Sequence, residues 1–152
     1  WSVFSGGNGP FQLLPLTIGA VATTYLLGGM STKDITDSEA DKATGTKTLI
    51  NTFGIKQTAL ISFPFMLFPF IFIPIFIYAD FLPQDLSHLW ILALFSLFSL
   101  FVFYLMIRSS ESKTLENVQA WSMMYVEYIF FSLCFSVLVI FSEYFGFLNI
   151  FN

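Results

Sequence analysis

The sequence predicts an all-α fold, a polytopic transmembrane helix bundle, and three observations carry that expectation. Hydrophobic residues make up 56% of the 152 and charged residues only 11%, less than half the share of about 25% found in ordinary soluble domains. Four stretches, about 11–30, 58–78, 89–107 and 121–145, each hold roughly the twenty apolar residues that a bilayer crossing requires. The six Lys and Arg residues fall in just two segments, 33–56 and 108–113, which leaves the spans free of positive charge.

The opening W-S-V-F-S-G-G-N-G-P reads as the end of an earlier helix running into a glycine-rich turn, so the chain is expected to be a piece of a longer protein. The first span, 11–30, carries no charge, and Ala20, Thr24 and Gly28 recur at every fourth position with Gly19 and Thr23 beside them. Such a face of small side chains lets a neighbouring helix approach closely. After a polar segment, the second span at 58–78 contains Pro64, Pro69 and Pro74. Each proline removes one helical hydrogen bond, so a kinked span is expected, as ordinary irregularity ahead of any hinge.

A loop at 79–88 precedes the third span at 89–107, whose ends carry Trp90 and Tyr104 as interfacial aromatic residues do. His88, with no second metal-ligating residue at useful spacing, is expected to be an interfacial loop residue. The fourth span, 121–145, holds Glu127 within its first two turns and Glu143 near its far end. Both are expected to reach the headgroups. Cys134, the single cysteine, excludes an intrachain disulfide and reads as a small packed apolar residue.

Four spans place both basic segments on one side of the membrane, and the excess of positive charge there predicts that this side is cytoplasmic. No basic patch for nucleic acid exists.

The one strongly hydrophilic stretch, K-D-I-T-D-S-E-A-D-K-A-T-G-T-K-T-L at 33–49, carries the candidate chemistry. If the first helix continues through it, Asp34, Asp37 and Asp41 share one face. Three like charges in a stripe repel unless solvent screens them or a cation sits there, and hard carboxylate oxygens beside a membrane cavity suit Mg²⁺ that also binds phosphates. Lys33, Lys42, Lys47 and Lys56 flank the stripe and can neutralise a polyanion, while Gly45 is placed to cap the helix. A calcium loop is excluded, because its sixth and twelfth positions hold Glu39 and Gly45, or Lys42 and Thr48 in the other register, rather than Gly and Glu. There is no P-loop, no H-E-x-x-H and no nucleophilic triad pattern.

The spacing Asp34-x-x-Asp37-x-x-x-Asp41-x-x-x-Gly45-x-Lys47-Thr48-Leu49 resembles the second aspartate-rich motif of the UbiA superfamily of intramembrane prenyltransferases. The resemblance covers the C-terminal part of such a protein: residues 1–152 would be part of a single prenyltransferase domain, the last four of nine helices. The family's first motif, N-D-x-x-D-x-x-x-D, is not in the chain, so this piece alone is expected to be inactive. The resemblance implies Mg²⁺-dependent transfer of a prenyl group from an isoprenyl diphosphate to a lipophilic acceptor. Asp37 and Asp41 would be catalytic, Asp34, Asp37 and Asp41 would hold the metal, and Lys33 and Lys47 would contact the diphosphate. The partners implied are the isoprenyl diphosphate, the acceptor, membrane lipid and the missing N-terminal helices. The alternative is a four-span scaffold or transport subunit with an acidic cytoplasmic loop.

Overall fold

An apolar segment in a bilayer has no water to satisfy its backbone, and the helix is the local solution. The computed structural model describes residues 13–79, 84–109 and 115–149, and these contain α1 (Leu13–Thr44), α2 (Leu49–Phe53), α3 (Ile55–Tyr78), a 3₁₀ helix (Gln84–Leu94), α4 (Phe95–Arg108) and α5 (Leu115–Asn149). There is no strand among the described residues. Four helical stretches are long and apolar enough to cross a membrane, so the protein is an all-α transmembrane bundle.

Neighbouring spans run antiparallel, as their pairings show. On α1 and α3, Ser31 meets Ser62 and Gly28 lies against Met66. On α1 and α5, Tyr25 meets Glu127 and Gly29 lies against Met124. On α3 and α4, Phe63 pairs with Phe103 and Phe70 with Phe95. On α4 and α5, Ser99 meets Glu127 and Phe95 meets Phe131. In each case a rising number on one helix meets a falling number on the other. The bundle is therefore an up-down ring in the order α1, α3, α4, α5. The C-terminal ends of α1 and α4 share one end of it with the start of α3, so Lys33, Lys42, Lys47, Lys56 and Arg108 gather there. Lys113 lies outside the described residues.

The small-residue face of α1 is half used. Gly28 is buried against α3, where a Cβ would come within 2.8 Å of both the Ser62 carbonyl oxygen and Met66 Cγ. Gly19 and Thr23 face outward.

One expectation about the spans is corrected. The third span does not begin as an α-helix at 89 with His88 in a loop: Gln84–Leu94 is 3₁₀, bent at Leu86 (φ −95°, ψ 21°), and His88 lies inside it. Side chains three apart eclipse in a 3₁₀ helix, and Leu86, Leu89, Leu92 and Phe95 recur at that interval and are all buried. Phe95, Ser99, Val102 and Met106, all buried, then follow the α period. The second span stays helical from Ile55 to Tyr78 with Pro64, Pro69 and Pro74 inside it.

The interior is divided by height. Phe70, Phe95 and Phe131, one turn beyond Met66, Ser99 and Glu127, pack ring to ring at 5.1–5.9 Å, and Tyr25 lies 5.2 Å from Phe70. From this aromatic layer to the far end, the buried side chains are apolar, among them Leu14, Ile18, Ile73, Leu89 and Val139. Toward the basic end the core is mixed: Ser31, Thr32 and Ser38 on α1, Thr58 and Ser62 on α3 and Ser109 after α4 are all buried there. Among the described residues, no buried polar side chain lies on the other side of the aromatic layer.

Candidate functional site

At about 1.5 Å per residue, the 32 residues of α1 exceed the roughly 30 Å of a hydrocarbon core by several turns. Those turns carry the aspartates beyond the apolar part of the span. The helix does continue through them, so Asp34, Asp37 and Asp41 lie along one face. All three are half-buried, on the flank of the face that buries Ser31, Ile35 and Ser38, whereas Lys33, Glu39, Ala40 and Lys42 are exposed. The stripe therefore borders the bundle rather than pointing away from it.

Gly45 ends the helix as expected. At φ 72° it is left-handed, and Gly45 N–H donates to Lys42 O (3.3 Å) while Thr46 N–H donates to Asp41 O (2.8 Å), the paired bonds of a Schellman cap. The Thr48 hydroxyl then accepts from Asn51 N–H (3.2 Å) to start α2, and Asn51 Nδ2 donates back to Thr46 O (3.2 Å). Lys47, exposed in this connection, is held between two capped helix ends.

Electrostatically the stripe attracts cations. Asp41 stands in the last turn of α1, where the helix dipole is negative, and Asp34 and Asp37 add to it. Lys33 Nζ lies 3.5 Å from Asp37 Oδ2, with both side chains about half exposed (53% and 47%), an ion pair of small worth that other ligands can replace. Asp34 and Asp41 are seven residues, about 10 Å, apart along the axis, and among the described residues no three His, Cys, Asp or Glu side chains are grouped around a common point. That spread fits Mg²⁺ held by one or two carboxylates with phosphate oxygens and water completing its octahedron, and does not fit an all-protein cage.

Glu127 corrects the sequence reading. It is not at the headgroups but fully buried (0% exposed) at the centre of the bundle. Tyr25 Oη donates to its Oε2 (2.8 Å) and Ser99 Oγ to its Oε1 (2.7 Å). Each hydroxyl has a second acceptor in reach, the Met124 carbonyl for Tyr25 (3.1 Å) and the Met66 carbonyl for Ser99 (2.9 Å). One carboxyl thus ties α1, α4 and α5 together, with the α3 backbone within reach of Ser99. The signal available in the sequence was an ionisable residue inside a span, but an almost wholly apolar helix has no polar face to show which way it turns. The side chain of Glu143 lies outside the described residues. His88 Nε2 donates to the Leu138 carbonyl (3.1 Å), fastening the 3₁₀ helix to α5.

Comparison with protein-family models, with curated proteins and with solved structures finds no significant match to this chain.

Proposed function

We propose that the chain carries the diphosphate-gripping half of an intramembrane prenyltransferase, with the aspartate end of the bundle on the cytoplasmic side. The observation that supports this reading most is the half-buried stripe of Asp34, Asp37 and Asp41 at the negative end of α1, above an apolar bundle. One or two of the carboxylates of Asp37, Asp41 and Asp34 would hold Mg²⁺, with phosphate oxygens and water completing its shell. The metal would draw charge onto the diphosphate leaving group so that the allylic carbon–oxygen bond ionises. Lys33, released from Asp37, and Lys47, on the capped connection, would neutralise the remaining phosphate charge. The apolar spans would keep water from the cation and shelter the lipid tail. Gathering of the described basic residues at this same end supports the cytoplasmic orientation.

The test is limited proteolysis of the chain in detergent. An isoprenyl diphosphate with Mg²⁺ should protect the 31–56 segment at Lys33, Lys42 and Lys47, and EDTA should remove the protection. Cleavage at the same rate with and without the diphosphate would sink the proposal and favour the scaffold or transport reading.

A further inference from the structure

Glu127 is independent of the aspartate stripe, and its surroundings are specific. The carboxyl is enclosed, and its two hydroxyl partners each have a carbonyl as second acceptor. When Glu127 is ionised, both hydroxyls donate to it. When it is protonated, its O–H donates to Ser99 Oγ, Ser99 turns its own proton to Met66 O, and Tyr25 still donates to the remaining carboxyl oxygen. Every donor has an acceptor in both states, and no heavy atom has to move. A purely structural carboxyl requires only one of these arrangements.

The second observation is the asymmetry of the core. Below Glu127 the rings of Phe70, Phe95 and Phe131 close the bundle. Above it the buried residues include the Ser31–Ser62 hydroxyl pair (2.7 Å) and Thr58, fully buried, whose Oγ1 has no hydrogen-bond partner among the described residues, as is true of the buried Trp121 Nε1. Unpartnered buried polar atoms in a native core call for an explanation, and a route for a polar species is one. The titratable group facing Glu127 is Tyr25 from α1. The polar groups facing it from α3 and α4 are the Met66 carbonyl and the Ser99 hydroxyl, and no charged side chain contacts it among the described residues.

We propose that Glu127 is a reversible proton-binding site at the blind end of a polar half-pathway that opens at the aspartate-bearing end of the bundle. The proton comes from solvent at that end. One O–H bond forms on a Glu127 oxygen, no bond in the protein breaks, and release reverses the step to the same side.

The experiment is infrared difference spectroscopy of the chain in oriented proteoliposomes, with pH changed on one side at a time and exchange followed in D₂O. A protonated-carboxyl C=O band should grow as pH falls on the aspartate side, move down in frequency in D₂O, and stay unchanged when only the opposite side is acidified. It should vanish in Glu127→Gln and move up in frequency in Ser99→Ala, where the carboxyl loses a partner. If Glu127→Gln does not insert, the Ser99→Ala displacement assigns the band. A carboxyl band indifferent to pH on both sides, or one governed by the opposite side, overturns the proposal.

Discussion

Tyr25 and Glu127, 102 positions apart in the chain, are joined by a 2.8 Å hydrogen bond between fully buried side chains. It is the contact that fixes the rotation of α1 and α5, two helices whose apolar surfaces would otherwise pack in several registers. Buried polar contacts in membranes contribute modestly, about 0.6 kcal/mol on average and about 1.7 at most. A double-mutant cycle with Tyr25→Phe and Glu127→Ala should return a coupling in that range by reversible denaturation in mixed micelles. A coupling of zero would show that the two side chains act independently.

Glu127→Gln and Glu127→Ala should separate cleanly. The amide can accept from Tyr25 and donate to Ser99, so Gln should cost less than about 1 kcal/mol. Alanine leaves a cavity where four helices meet and should cost about 2–3 kcal/mol. The same denaturation measurement reads both.

Three glycines of α1 should rank by what a methyl would touch. Gly28→Ala meets the Ser62 backbone oxygen and Met66 within 2.8 Å and must separate α1 from α3, costing about 1–3 kcal/mol. Gly29→Ala meets Met124 Cγ at 2.7 Å and Sδ at 2.9 Å, a flexible side chain that can yield, so the cost should be smaller. Gly19→Ala meets nothing within 4 Å and should be neutral or slightly stabilising through helix propensity. Thermal unfolding in detergent gives the order.

Gly45→Ala should loosen the end of α1 without touching the bundle. The left-handed backbone there costs a side-chain-bearing residue about 1–2 kcal/mol, although a Cβ would meet no neighbour. Hydrogen exchange at Thr46 N–H should accelerate roughly tenfold, while amides of α3 and α5 stay unchanged.

On the proposed reading, Asp37→Ala or Asp41→Ala should abolish the protection of the 31–56 segment by an isoprenyl diphosphate with Mg²⁺ while leaving membrane insertion intact. Unchanged protection in either variant would remove that residue from the proposed site.

How much of this was legible follows from the kind of signal involved. Span number and order came from length and apolarity, which the bilayer enforces, and Gly45 was legible because few residues accept its backbone conformation. The inward turn of Glu127 was not, since a helix apolar on every side shows no face. The 3₁₀ entry to the third span was written in the three-residue recurrence of Leu86, Leu89, Leu92 and Phe95, but a generally hydrophobic background conceals that period. The prolines of α3 did not end the helix, because a membrane span can make up the lost backbone bonds through its neighbours. For the aspartates, the sequence carried the shared face and the structure added their place on the flank of the bundle.

The 3₁₀ entry also lengthens the third span. Residues 87–94 rise about 2.0 Å each in that form and would rise about 1.5 Å each as α-helix, so rewinding them would draw the span in by about 4 Å. This is comparable to the difference in hydrocarbon thickness between thin and thick cellular membranes. The tighter winding thus lets eight residues cover a depth that would take about eleven in an α-helix.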